Sequence, residues 1–287
     1  MPPLDQCYIP DGSPVSEALS RTTHLGIAAH PDDLEIMASH GILECYHRQD
    51  QWFFGTIVTN GAGSPRSGPY AAMTDEEMIT VRRKEQEKAA ALGGYSGVAF
   101  QNYSSVAVKS NSVEQEKVID ELQDLIEAVQ PRIVYTHNPS DRHETHVAVA
   151  LCTIQAIRRL PKRFHPNKIY GCEVWGGLDW VPESARTALP LSRHIEIASS
   201  ALNAHDSQIA GGKRYDLAAQ GRWAANATFS QSHEVDHTAA VTFALDLTPL
   251  IADETLRVSE YISEVIERFK EDTIDRIIRN EKGAVVK

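Results

Sequence analysis

Cysteine is scarce: four residues in 287, at positions 7, 45, 152 and 172, with no two in C-x-x-C spacing. That spacing is what a thioredoxin motif or a Cys-rich structural zinc site requires, so neither is signalled. A chain of this length can bury a sufficient core without disulfide staples. Cys45 and Cys152 fall in apolar helical patterns and are expected in that core. No run of about 18 apolar residues occurs, so no membrane-spanning helix and no membrane partner are expected. The first twenty residues lack a basic segment followed by an apolar one, which argues against a signal peptide or anchor and makes a cytoplasmic location the default expectation. Positive charge is in deficit: 28 Lys and Arg against 39 Asp and Glu, a net charge of −11. An acidic chain is a poor partner for phosphate backbones, so nucleic acid is set aside. There is also no internal repeat and no linker. With 42% hydrophobic and 23% charged residues, the remainder is ordinary globular protein.

What is present is alternation. Residues 1–20 are unpatterned and read as an N-terminal arm. HLGIAA follows as a short apolar run suited to a buried parallel strand, then a helical pattern through Leu34, Met37, Ala38, Ile42 and Cys45. WFFGTIVT, GVAF and RIVYTH read as further strands. Helices are predicted over Asp75–Leu92, with Thr74 as N-cap and Gly93-Gly94 as stop, over Val113–Val129 and over His143–Arg158. Strand alternating with helix predicts an α/β, Rossmann-like, doubly wound and mainly parallel sheet with helices on both faces. Farther on, KIYGCEVW, SRHIEIA and AAVTFAL look like strands, and Ser199–Ile209, Tyr215–Ala227 and Glu254–Arg279 look helical. Residues 21–287 are read as one domain whose part beyond about 165 extends the sheet and covers the site.

Open α/β sheets bind ligands beyond the carboxyl ends of their strands. Two such ends carry chemistry: A-A-H-P-D-D-L-E at 28–35 and T-H-N-P-S-D-R-H-E-T-H at 136–146. A catalytic zinc site uses three protein ligands and keeps one position open for water. His30, Asp33 and His146 supply two imidazoles and a carboxylate. Asp32 is left beside the metal as a general base, and His143 lies one turn before His146. The same ligand set also suits Fe(II). A lone H-x-x-D or H-x-x-H is a weak signal, and a surface histidine pair with an acidic helix start is the bland alternative. Against that, each motif follows an apolar strand and opens a helix. No G-x-G-x-x-G follows the first strand, which counts against a dinucleotide site.

A-H-P-D-D-L-E resembles the first signature of the PIG-L/LmbE-like deacetylases, and D-R-H-E-T-H resembles their second. T-N-G before a glycine loop, R-R-K-E-Q-E-K-A-A-A-L-G, and A-H-D-S-Q at 204–208 are similar to further elements, so the resemblance covers roughly residues 22–209. It implies a zinc-dependent N-deacetylase that acts on a small N-acetylated substrate of the N-acetylglucosamine type and assembles as a homo-oligomer, a trimer or hexamer. It also implies roles: His30, Asp33 and His146 as zinc ligands, Asp32 as base, and His143 assisting charge at the carbonyl or protonating the amine. Arg82 takes the place of a substrate-binding arginine. Some members have a mobile Tyr where Asp141 and Arg142 stand, which makes Arg142 a candidate to hold the oxyanion. The family's sugar-binding aspartate after the third strand is missing from FQNYSS, where Ser104 and Ser105 fall nearby. The alternatives are a zinc amidase for a larger amide and a non-catalytic Rossmann-like binding protein.

Several residues carry two readings. Glu35 is a carboxylate that orients a ligand, or simply a first-turn acid. His137 is expected to be capped or solvated. His205 is a pocket residue of its own or a neighbouring subunit, or packing. Trp175 and Trp180 are a sugar-stacking platform or packing. His233 and His237 are expected to be solvated rather than a second metal cluster.

Overall fold

The computed structural model describes residues 6–109, 113–191, 193–230 and 232–284. Its centre is a sheet of eight strands: β1 (Cys7–Tyr8), β2 (His24–Ala28), β3 (Phe53–Thr59), β4 (Gly97–Tyr103), β5 (Ile133–His137), β6 (Lys168–Cys172), β7 (Arg186–Pro190) and β8 (Val241–Asp246), in the order β1-β4-β3-β2-β5-β6-β8-β7. The five strands from β4 to β6 are parallel, and β1, β8 and β7 run antiparallel to their neighbours. The chain winds outward from β2 through β3 to β4, then returns to β5 on the other side of β2. The strand order therefore reverses between β2 and β5, and the crevice at that reversal is where a doubly wound fold binds ligands.

Helices cover both faces. On one lie α1 (Val15–Arg21), α6 (Val113–Val129), α7 (Glu144–Arg159) and α11 (Thr248–Ala252), whose apolar sides join Leu25, Ile27, Val134 and Ile169 in one core. On the other lie α2 (Asp33–Met37), α3 (Ser39–Cys45), α8 (Ile195–Leu202) and α10 (Tyr215–Phe229), packed around Phe53, Ile57, Tyr135 and Trp223. α2 sits unusually close to the sheet. A Cβ on Gly26 would lie 2.6 Å from Leu34, so glycine there lets the start of α2, and the motif it carries, rest against the strands. α4 (Asp75–Leu92) begins at Thr74, the N-cap its sequence predicts, and Glu77 completes a capping box with it.

The structure departs from the sequence reading in several places, among them the strand β7, which was not anticipated, and the helix read over Ser199–Ile209, which is broken after Leu202. The segment read as an arm contributes β1 and α1, and Ala18 and Leu19 of α1 are buried. The helix predicted through Cys45 breaks at Ala38 into α2 and α3, because Ala38 leaves helical geometry with φ −107° and ψ 13°. SRHIEIA, read as a strand, opens α8 after His194 turns the chain in the left-handed region. The alternating isoleucines had suggested a period of two. α9 (Asp206–Ile209) follows it. Cys45, Cys152 and Cys172 are buried free thiols, and Cys7 is half-buried. No helix among the described residues is long and apolar enough to cross a membrane.

Candidate metal and catalytic site

β2 and β5 end side by side and project their two motifs into one crevice. His30 Nδ1 lies 3.1 Å from Asp33 Oδ2, Asp33 Oδ2 lies 3.3 Å from His146 Nε2, and His146 Nε2 lies 3.2 Å from His30 Nδ1. Three donor atoms thus form a nearly equilateral triangle. Tetrahedral zinc with bonds of about 2.0–2.1 Å spaces its ligands about 3.3–3.4 Å apart, so these three residues fit one face of such a site. Their electrostatics fit as well. The His146 and His137 imidazoles outweigh burial and hold the Asp33 carboxyl well below its usual range. Burial alone would lower His146, but Asp33 and Asp141 lift it to about 9. Two carboxylates thus favour the protonated form of a buried imidazole, and a cation held there would take the place of that proton.

The supporting groups come from the same loops. Asp141 lies 3.4 Å from His146 Nδ1 and accepts the backbone N–H groups of His143, Trp175 and Gly176 at 2.8, 3.0 and 3.2 Å. A carboxylate behind a ligating imidazole fixes its orientation and raises its basicity. Asp141 was noted in the sequence only for displacing a tyrosine, so this role was missed. His137 was also misread. It is fully buried, stacks on His146 with ring centroids 3.9 Å apart, and accepts the Ala29 N–H on Nε2 at 2.8 Å. That nitrogen is engaged by the backbone, and it also lies 3.5 Å from Asp33 Oδ2, so that Asp33, His137 and His146 form a second group close enough to hold a cation. The apolar strand RIVYT, which drives its own end into the core, was the available signal.

Asp32 stands beside the triangle in the left-handed region, with φ 94°. For a non-glycine residue this conformation costs on the order of 1 kcal/mol or more and persists only where neighbours impose it. Two residues one turn apart on α4 do so. Gln86 Oε1 accepts the Asp32 backbone N–H at 3.2 Å. Arg82 donates to Asp32 Oδ2 at 3.0 Å, to the Gly61 carbonyl at 3.2 Å and to the Pro31 carbonyl. Behind them the buried Glu35 binds Gln86 at 2.8 Å, the Tyr95 hydroxyl at 2.6 Å and His205 at 3.0 Å. Burial pushes the Asp32 carboxyl up to about 7; Asp33 and Glu35 add to this, and Arg82 and His205 oppose it.

This network revises three expectations. Arg82 is buried and much of its fork is spent on Asp32 and two carbonyls, although it still borders the cavity. His205 is fully buried behind Glu35 and does not line the cavity. There, the bond to Glu35 and the Asp32 and Glu85 charges overcome burial and raise it. Arg142 is exposed and does not line the cavity either, because Asp141 turns inward to His146 and leaves its neighbour outside. Glu35 takes the orienting role through Gln86.

A cavity of about 480 Å³ opens over Asp32, His30 and Asp33. His143, the N-cap of α7, borders it, its ring 5.0 Å from that of His30; burial, with His146 and His30 adding, lowers it to about 4. The outer wall is Trp175, Lys213 and Tyr215, with the Lys213 ammonium 5.0 Å from the Trp175 ring. Lys213 and Tyr215 were not anticipated, since nothing in their local pattern marks them. Ser105 also lines the cavity. Trp180 does not; it packs on Phe269. His233 and His237 are exposed and join no metal-binding group among the described residues.

Residues 25–157 match the model of the PIG-L family, described as GlcNAc-PI de-N-acetylase. The chain is 25% identical over 157 residues to the uncharacterized deacetylase YaiS of Escherichia coli strain K12, covering 53% of this chain and 77% of that one. Among solved structures it is similar to the 4-carboxy-2-hydroxymuconate hydratase GalB of Pseudomonas putida KT2440, with a TM-score of 0.62 and 17% identity over 79% of this chain and 96% of the other. It is also similar to the N,N'-diacetylchitobiose deacetylase of Pyrococcus horikoshii, with a TM-score of 0.58 and 17% identity over 77% and 83%. At these identities the structural likenesses speak for the fold.

Proposed function

We propose that the chain, whose residues 25–157 match the model of the PIG-L family, hydrolyses the N-acetyl group of a small substrate of the N-acetylglucosamine type, with zinc held by His30, Asp33 and His146. The observation that carries this reading is the 3.1–3.3 Å donor triangle with a carboxylate of raised pKa beside it. We take residues 21–287 as one such domain, acting in the cytoplasm as a homo-oligomer.

When bound, a divalent cation supplies a Lewis acid for the acetyl carbonyl and makes water a stronger acid. Asp32 takes the proton of the attacking water. With a pKa of about 7 it is partly ionised at neutral pH and remains able to pass that proton on. Arg82 and Gln86 hold its carboxylate and backbone in place. His143 is neutral at this pH and donates a hydrogen bond to the oxygen that gains negative charge. As the C–N bond breaks, Asp32 returns the proton to the departing amine, and acetate and amine leave. Trp175 offers the substrate a flat apolar face.

The likeness to a hydratase makes addition of water to a carbon–carbon double bond the reading to test beside this one. The test pairs metal content with acetate release from N-acetylglucosamine and its conjugates, for wild type and His146→Ala. About one metal ion per chain, lost in the variant along with acetate release, is the expected result. Metal with no acetate from any N-acetylated compound would move the assignment to a larger amide or to hydration. A folded wild type that binds no added zinc would leave only a binding function.

A further inference from the structure

The helix α12 (Val258–Ala284) is exposed along most of its length, with one side facing the segment around Trp180. Its first turns are anchored: Val265 is buried, Tyr261 donates to the Asp246 carbonyl at 2.7 Å, and Phe269 packs on Trp180. Farther along, isoleucines stand in the open. Of the twelve large apolar side chains most exposed among the described residues, five lie between Ile266 and Ile278. An exposed helix end needs no isoleucines for solubility, and a contiguous apolar stripe marks a surface that something covers.

The pattern of the stripe names its partner. At 3.6 residues per turn, Thr273, Ile274, Ile277 and Ile278 share one face, and from position 270 to 281 that face carries two charges, Glu281 and Lys270, the latter also paired with Glu267 at 2.9 Å. These charges are opposite in sign and equally far from the midpoint between Asp275 and Arg276. Ile274 and Ile277 are likewise symmetric about that midpoint, and so are Thr273 and Ile278. A copy of the same helix laid antiparallel across that point therefore sets Ile274 against Ile277, Thr273 against Ile278 and Lys270 against Glu281, each twice. This is the self-complementarity of a twofold interface, in which residue i meets j and j meets i. A parallel copy would set Lys270 against Lys270 and Glu281 against Glu281.

We propose that the face of α12 from Lys270 to Glu281 is a twofold interface with a second copy of this chain, antiparallel and centred between Asp275 and Arg276. α12 lies outside the stretch that matches the family model, so the contact belongs to this chain's own C-terminal part. Two helices this short bury an area at the low end for specific interfaces, and dissociation on the order of micromolar is expected.

Sedimentation equilibrium of the full chain from about 0.1 to 100 µM spans that range. The wild type is expected to associate reversibly, and Ile274→Glu combined with Ile277→Glu to halve the assembly mass without changing the circular dichroism, since both residues are exposed. Lys270→Glu alone is expected to weaken association about tenfold, and Lys270→Glu with Glu281→Lys to restore it. A wild type that stays monomeric throughout overturns the proposal, whatever other protein it captures. So does association indifferent to the isoleucine pair, or a charge swap that fails to rescue, which would mean another face or a parallel pairing.

Discussion

The two halves of this molecule solve different problems. In residues 24–159 each strand is followed by a helix, the strands are parallel, and the groups of the proposed chemistry hang from the ends of β2 and β5. From β6 onward the strands β8 and β7 turn antiparallel, and the segment around Trp175, Lys213 and Tyr215 walls the cavity without supplying a ligand. The first half is constrained by the geometry of the proposed reaction: three donor atoms within a few tenths of an ångström of a tetrahedral face, and the proposed base, Asp32, in a strained conformation. The second half is constrained by shape alone, and many sequences can build a wall.

The sharpest way to separate the halves is to remove chemistry from the first without touching its fold. Asp32→Asn keeps the hydrogen bond from Arg82 and loses the base, so acetate release is expected to fall roughly 10²- to 10⁴-fold with zinc content unchanged. A variant that keeps its rate would transfer the base to another group. His24, at the start of β2, tests whether the parallel half also carries the acid sensitivity. Burial, with His40 and Arg132 adding, lowers it to about 4. Between pH 6.5 and 4 the unfolded chain therefore binds a proton that the folded chain refuses. Stability is full above about 6.5 and declines through that window by on the order of 3 kcal/mol. Urea midpoints against pH are expected to flatten there in His24→Gln, and an unchanged slope would place the sensitivity elsewhere.

Asp141→Asn removes the charge behind His146 and is expected to weaken zinc binding by about 10- to 100-fold, read by competition with a chelator. An effect on kcat without an effect on affinity would make Asp141 a substrate group. The smallest effect belongs to the second half. Trp175→Ala is expected to raise KM about tenfold through lost stacking and to leave kcat within a few-fold. A loss in kcat instead would mean that the wall acts in the reaction, and the contrast between the halves would dissolve.

How much was legible beforehand follows the same division. His30, Asp32, Asp33, His143 and His146 were readable because each motif is short, local and attached to an apolar strand end. Arg82, Arg142 and His205 were placed by resemblance alone. Only Arg82 borders the cavity, and its guanidinium is turned onto the base rather than left free. α8 was misread as a strand because alternating isoleucines over a few residues satisfy a period of two as well as a helix does.

The sequence by itself determined the alternation of strand and helix and the two motifs carried at strand ends, because hydrophobic period and strand-end position are local properties. Tertiary structure alone decided that Asp141 backs His146, that His137 is buried under the ligands, that Gln86 and Glu35 hold Asp32, and that Trp175, Lys213 and Tyr215 face them across the cavity. Asp141 and His137 lie only five and nine residues before His146, but the other relations join residues tens to more than a hundred positions apart. No local pattern encodes which distant side chains share a few ångströms of space; that is set when the sheet and its helices close around a common core.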